Sequence, residues 1–295
     1  MIQDVLSEIV LGILIGSVYS LIGLGCVVIY KCSKVVSFTQ GGFLLMGGII
    51  AWFLLVVVKL PSAPAIVFTL VGCALLGLAV ERFTLRPVLG QPLLASVMIT
   101  VALLWFLDSV GFLVIGGPGR VFPRLFPSGF VDFFGIRISE ANALSFAAAI
   151  VLFIGFTLFY KYTKIGLAMR ATAEDHEVVQ SLGVKVTNIF SITWAIAGLT
   201  AGIGGILMAS LINLDVSLSM LGWKGLIVIL IAGLESLPGV IIMGPVIGVL
   251  EILSINYIDP LVGGGMRDIA PFILMMLVLV IKPYGLFGLK RIERV

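Results

Sequence analysis

The chain has 295 residues, of which 60% are hydrophobic and 11% charged, and its mean hydropathy is +1.25, so there is too little polar surface to wrap a soluble globule of this length. Several apolar runs reach the roughly 20 residues that a helix needs to cross a hydrocarbon core about 30 Å thick, whereas a lipid-facing barrel would show short alternating segments. The formal charge of +3 is spread through short loops rather than collected in one patch, which speaks against a nucleic-acid partner.

The first apolar run covers 5–30. It lacks a basic leader, has Asp4 and Glu8 near its start and is too long for a signal-peptide core, so it is read as the first span. Further spans are expected at 37–58, 63–80, 93–115, 141–160, 188–212, 218–234, 239–255 and 267–281, which makes nine helices and an all-α, polytopic membrane fold. With the N-terminus outside, the outer side holds Lys59, Arg120, Arg124, Arg137, Lys224 and Arg267, and the other twelve basic residues are cytoplasmic, in keeping with the positive-inside tendency. The basic tail with Lys290, Arg291 and Arg294 also demands a cytoplasmic end. The seventh span is broken by Trp223-Lys224-Gly225, so it reads either as a span or as a re-entrant helix; if the seventh and eighth segments both turn back, the count falls to seven.

Four spans, one linking span and four more would give the second set an inverted orientation, the arrangement of an inverted internal repeat. Glycine is abundant, at 35 residues, and the pairs Gly12/Gly16, Gly198/Gly202 and Gly244/Gly248 have the spacing that lets helix backbones approach closely in lipid. Cys26, Cys32 and Cys73 show no metal-ligand spacing and are read as small core residues without a disulfide. His176 is the only histidine, which excludes metal chemistry built on paired histidines, and the chain has no Gly-x-x-x-x-Gly-Lys-(Ser/Thr) phosphate loop with which to hydrolyse ATP.

Two loops are long. The outer one, 116–139, is rich in Gly, Pro and Phe (Gly117-Pro118-Gly119, Phe122-Pro123, Phe126-Pro127) and reads equally as a folded cap or as a surface for an external partner. The cytoplasmic one, 161–187, contains a predicted helix over 173–182, with a capping-box-like Thr172 and Asp175 at its start and Gly183 at its end. Glu174 and Asp175 fall in its first turn, and Val178, Val179 and Leu182 form an apolar stripe. Such a rod would pass on the push of a motor domain; the alternative is a solvated connector resting on the bundle.

Two polar or Gly/Pro-rich interruptions stand in different halves of the chain, one at Ser37, Phe38, Thr39, Gln40 and Gly41, the other at Glu235, Ser236, Leu237, Pro238 and Gly239. Matched interruptions point to a transport site, because broken helices free N–H and C=O groups for a polar solute; helix caps and a tight turn are the alternative. Asp108 lies inside the fourth span, where a carboxylate costs at least about 2.5 kcal/mol unless it is partnered, so it is a candidate for the solute path, with snorkelling as the rival account. Glu251 raises the same question, while Glu81, Arg82 and Arg86 read as an interfacial charge cluster.

The stretch from Gly166 through Arg170, Ala173, Glu174 and Asp175 to Gly183 resembles the cytoplasmic coupling segment of the branched-chain amino-acid ABC permeases of LivH type. Gly16 to Gly25, Glu81-Arg82 with Arg86-Pro87, Ala195 to Gly202, and Ser236 to Gly239 followed by Gly248 and Glu251 are similar to further segments of that family, in the same order and over almost the whole chain. The chain departs from the family pattern at Ser37-Phe38-Thr39-Gln40-Gly41 and at Ala232-Gly233-Leu234-Glu235, which leaves amides, urea or small organic acids open beside branched-chain amino acids as the solute. The resemblance implies a single transmembrane permease domain over 1–295 that is not itself an enzyme and binds no cofactor. It implies a second related permease, two cytoplasmic ATPase subunits carrying ATP and Mg, and an external or periplasmic solute-binding protein as partners, in a bacterial cytoplasmic membrane. The ATPases would dock at Arg170, Ala173, Glu174, Asp175, Val178, Val179, Leu182 and Gly183. A self-contained secondary transporter or channel is the alternative that the residues leave open.

Overall fold

The computed structural model describes residues 2–88, 91–117, 119–126, 129–133 and 136–288, so Pro118, Pro127 and the basic tail residues Lys290, Arg291 and Arg294 lie outside the described residues. The apolar runs form helices, as their length and composition dictate. In chain order these are α1 (Ile2–Ser33), α2 (Gln40–Trp52, prolonged by a π turn, Phe53–Val57), α3 (Ser62–Val80), α4 (Leu93–Ile115), α5 (Glu140–Tyr162), α6 (Lys164–Glu174), α7 (His176–Ser181), α8 (Val186–Ile212), α9 (Leu221–Ala232), α10 (Leu237–Leu253), the short α11 (Asp259–Val262) and α12 (Met266–Ile281). Seven described helices are long and apolar enough to cross a membrane; Val216–Ala232, a 3-10 turn that runs on into α9, is shorter, and α12 has 16 residues. The nine expected spans thus correspond to seven full-length helices and two shorter ones.

α1 is apolar on all sides and accordingly central: Val18, Leu21, Ile22, Val27 and Ile29 are all 0% exposed. α3, α4 and α5 instead turn outward faces of large apolar side chains away from the bundle, among them Val67, Phe68, Leu75, Trp105, Leu113, Val151 and Ile154. In water such faces would drive aggregation; in a bilayer they meet a solvent of their own kind.

The helices fall into two sets of four, α1 to α4 and α8, α9, α10 and α12, joined through α5. α1 packs along α10 as α3 packs along α8, and α2 lies on α8 as α9 lies on α1. The small-residue pairs make these contacts possible: a Cβ on Gly12 would sit 2.5 Å from the Val249 Cα, one on Gly16 2.7 Å from the Pro245 Cα, and one on Gly198 would strike the Cys73 carbonyl. The C-terminal end of α1 touches α6, with Cys32 Sγ 3.9 Å from the Met169 carbonyl, and α8 starts on that same face, just after α7. α8 therefore runs back where α1 ran out, and the second set is inverted relative to the first. α10 follows α1 antiparallel, from Val240, whose carbonyl accepts from Ser20 Oγ at 2.9 Å, to Val249 beside Gly12, so it passes along the bundle instead of turning back.

The described residues of 116–139 include regular structure. Strands β1 (Phe130–Phe133) and β2 (Ile136–Ser139) pair antiparallel, Phe130 opposite Ser139, and Arg120 exchanges backbone hydrogen bonds of 2.7 and 3.0 Å with Leu214. This hairpin is a small β addition to an otherwise helical chain.

The helix expected over 173–182 is two helices. Thr172 is not at a start but buried inside α6, which begins eight residues earlier at Lys164, where Thr163 Oγ1 accepts from the Gly166 N–H at 2.9 Å. Asp175 is extended (φ −153°, ψ 114°) and its Oδ1 accepts from the Val178 N–H at 3.1 Å, so it breaks the rod and opens α7. Gly183 ends α7 as expected, left-handed at φ +83°, with Gly183 N–H to Gln180 C=O and Val184 N–H to Val179 C=O closing the turn.

Candidate functional site

Both helix sets are interrupted at equivalent points. Lys34 follows the end of α1 and Asn213 the end of α8, each with a positive φ (+56° and +71°), and each opens a stretch of non-helical chain before the next helix begins. The first such segment leads to α2. Its depth is fixed by Gln40, whose Nε2 donates to the Ala197 carbonyl at 3.0 Å, near the middle of α8. The second leads through the 3-10 turn Val216–Met220, capped by Asp215 Oδ1 on the Ser217 N–H at 2.8 Å, into α9. The two meet at Gly41 and Gly222. A Cβ on Gly222 would collide with the Gly41 backbone, and one on Gly41 with the Ser219 carbonyl, so only glycines allow this crossing.

Beside the crossing lies a small pocket lined by Ser37, Phe38, Leu104, Ser219, Gly222, Trp223 and Leu226. Phe38 and Trp223 meet edge to face, with ring centroids 5.4 Å apart. Ser37 and Thr39 share a hydrogen bond of 2.7 Å between their hydroxyls, and the Phe38 N–H donates to Thr100 Oγ1 at 3.4 Å. Asp108, one turn beyond Leu104 on α4, is 9% exposed and takes a 3.1 Å hydrogen bond from Ser219 Oγ. It does not snorkel to a surface.

The structure thus brings Ser37, Phe38, Thr39, Gln40, Gly41 and Asp108 together. Ser236, Pro238 and Gly239 are not among them. They start α10 on the face where α1 ends: Ser236 Oγ caps the Gly239 N–H at 3.1 Å, Pro238 takes the second helical position, and neighbouring Glu235 pairs with Lys34 at 2.8 Å. The interruption that matches Ser37–Gly41 is instead 213–222, which sequence reasoning passed over. Asn213, Asp215 and Gly222 were the available signal.

Trp223-Lys224-Gly225, read as an interruption, is helical. The Lys224 ammonium lies 2.6 Å from Glu251 Oε1 and 3.2 Å from Asp268 Oδ1, while the Tyr19 hydroxyl donates to Glu251 Oε2 at 2.8 Å and Arg267 stands 3.9 Å from the same oxygen. Charges that look prohibitive one at a time are tolerable in this closed set. Glu81, directly after α3, is likewise 2% exposed, held by Nε and an Nη of Arg86 (3.2 and 3.1 Å) and by Ser191 Oγ at 2.7 Å.

On the face where α1 ends, α6 and α7 form a ledge between α5 and α8. Met169 and Thr172 anchor it at 0% exposed, and Arg170 donates to the Tyr160 carbonyl and covers the Tyr160 ring at 5.5 Å. Ala173 is half-buried, and Glu174, Asp175 and Gly183 are exposed. The stripe divides: Val179 is buried, while Val178 and Leu182 project at 54% and 76% exposed. His176 lends its backbone to α7, and its side chain lies outside the described residues. Among the described residues no group of His, Cys, Asp and Glu is disposed to hold a metal ion.

Residues 9–281 match the family described as branched-chain amino acid transport system / permease component. The chain is 27% identical over its whole length to the high-affinity branched-chain amino acid transport system permease protein BraD of Pseudomonas aeruginosa, covering 99% of that protein. It is 25% identical to LivH of Escherichia coli K12, over 96% of each chain, and 27% identical to a probable LivH permease of Methanocaldococcus jannaschii, over 93% of this chain and 90% of that one. No solved structure matches. A polytopic helical bundle of inverted halves, matched from end to end by such relatives, belongs to the family of branched-chain amino acid transport system permease components.

Proposed function

We propose that this chain is the translocation subunit of an ATP-driven importer of branched-chain or related hydrophobic amino acids, working by alternating access. It would lie in a bacterial cytoplasmic membrane with its N-terminus outside and its C-terminus cytoplasmic. Its partners would be a second related permease, two cytoplasmic ATPase subunits that hold ATP and Mg, and an external solute-binding protein.

The observation that carries this reading is the ledge. α6 is clamped to α5 and α1 by Arg170 and Met169, and α7, which follows it after Asp175, is seated by buried Val179; together they present Leu167, Val178 and Leu182 outward at 59%, 54% and 76% exposed. An anchored, apolar-tipped projection at the helix ends can transmit the closure of a partner to the bundle, whereas a loose loop would absorb it. The broken helices supply what such closure would move, a crossing of two chain segments in contact at Gly41 and Gly222 and at Phe38 and Trp223.

The buried pair of Lys224 and Glu251 favours a second reading, an ion-coupled carrier that needs no ATPase. One experiment separates the two. The chain is reconstituted in proteoliposomes with its companion permease, ATPases and binding protein, and leucine uptake is measured with ATP or with an ion gradient. Uptake should require ATP, and Val178→Asp with Leu182→Asp should lower it at least about tenfold while the chain remains in the membrane. Leucine accumulation by this chain alone on an ion gradient would sink the importer reading.

A further inference from the structure

We infer that Asp108 is a recognition residue for the ammonium group of the solute, and that the pocket beside the Gly41–Gly222 crossing takes a primary ammonium compound with a compact aliphatic side chain. This rests on the importer reading and deepens it. An ionised carboxylate accepts about four hydrogen bonds. Asp108 has one donor among the described residues, Ser219 Oγ at 3.1 Å, and that hydroxyl lies equally close, at 3.0 Å, to the Val216 carbonyl. A hydroxyl has one hydrogen to give, so the carboxylate holds at most a shared bond. Oδ1 has no hydrogen-bond partner among the described residues, although it is cut off from the surface.

Leaving such a group bare costs several kcal/mol in a membrane interior, and the fold has the means to avoid it. Lys224 and Arg267 are committed to Glu251 and Asp268, and no described Lys or Arg is paired with Asp108. The carboxylate is therefore held open for a donor that comes from outside the chain. An ammonium offers three N–H groups and the opposite charge.

The surroundings complete the match. Ser219, which touches Asp108, is also a wall of the pocket, and Leu104, one turn before Asp108 on the same face of α4, is another. The remaining wall is apolar and aromatic, from Phe38, Trp223 and Leu226, with the Ser37 hydroxyl at its edge. The pocket as it stands has room for little more than a water molecule, and Asp108 lies behind Ser219 outside its lining, so an aliphatic chain with its ammonium on Asp108 is admitted only when the Phe38–Trp223 contact opens.

The rival explanation is that Asp108 only offsets the positive end of α2, whose first turn receives no side-chain cap from Thr39. The two differ in ligand choice. The purified full-length chain is melted in detergent with increasing L-leucine, 3-methylbutylamine (ammonium, no carboxylate) or 4-methylpentanoate (carboxylate, no ammonium). Leucine and the amine should both raise the melting temperature, and the acid should need at least about tenfold more to do the same. In Asp108→Asn the preference for the amine over the acid should vanish. If leucine gives no protection, if the acid protects as well as the amine, or if Asp108→Asn keeps the unaltered ranking, the inference is overturned. Should that variant not fold, the three probes on the unaltered chain decide alone. Because this measures binding by the chain, it is independent of whether ATP drives uptake, which decides the importer reading.

Discussion

The two broken segments, 34–42 and 213–224, occupy equivalent places in inverted halves and reach the same crossing, but they are held there by different forces. Apart from the half-exposed Lys34–Glu235 pair at its start, the first depends on close backbone approach and neutral hydrogen bonds: Gln40 to the Ala197 carbonyl, and the Ser37 and Thr39 hydroxyls to each other. The second depends on charge, with Asp215 capping its 3-10 turn and Lys224 bound into the set around Glu251. Neutral contacts can be exchanged one at a time at small cost, whereas a buried ion pair is strong only while both members are present. The half containing α9 is thus the stiffer anchor, and the half containing α2 the one free to adjust.

The largest effect should come from breaking that anchor. Lys224→Met leaves Glu251, 2% exposed, without its closest cation, and should cost about 3–5 kcal/mol of stability, measured by chemical denaturation in micelles. Adding Glu251→Gln should recover most of the loss, since the Tyr19 hydroxyl still finds an acceptor at 251 and no bare charge remains. If the double variant is no more stable than the single one, the charge pair is not what holds α9.

A smaller effect tests the point where the two segments touch. Gly222→Ala pushes a methyl group into the Gly41 backbone, and the helices must part to admit it, at about 1–3 kcal/mol. The same change at Gly155 of α5, where nothing lies within 4 Å of the added carbon, should be neutral or slightly stabilising. A Gly222→Ala protein as stable as the Gly155→Ala one would mean that the crossing is not tightly packed.

These residues also show what could be read before the fold was seen. The spans, the inverted order, the close helix contacts at Gly12, Gly16, Gly198 and Gly248, and the break at Ser37–Gly41 were legible, because hydropathy and small-residue spacing are local. The second break was not. Asn213 and Asp215 are two polar residues between apolar stretches, and the pattern at Glu235–Gly239 looked more like an interruption, although it is an ordinary cap. Lys224 misled for a physical reason: its charge marks a break only if it stays uncompensated, and its partner is 27 residues away at Glu251. Asp175 misled in the opposite way, since the same side chain that favours the first turn of a helix also favours the position just outside it.

The subtlest difference between the halves lies at the two positive-φ residues that open the breaks. Asn213 joins its positive φ of 71° to an extended ψ of 170°, a backbone that glycine alone adopts freely, and holds it with a hydrogen bond from the Phe122 N–H to its Oδ1 at 3.3 Å, so Asn213→Ala, which loses the bond and keeps the strain, should cost about 1–2 kcal/mol. Lys34 also carries a positive φ, which costs it about 1 kcal/mol. What it gains is the pair with Glu235, whose two side chains are 28% and 27% exposed and which therefore contributes no more than about 1 kcal/mol, less as salt is raised. The two nearly cancel, so Lys34→Asn alone should shift stability by under about 0.5 kcal/mol. In a Glu235→Gln background there is no ion pair left to lose, and the same substitution should stabilise the protein by up to about 1 kcal/mol. A Lys34→Asn change that destabilises equally in both backgrounds would show that the lysine serves the break through something other than its charge, and would remove the distinction between an opening held by an ion pair in one half and by a neutral hydrogen bond in the other.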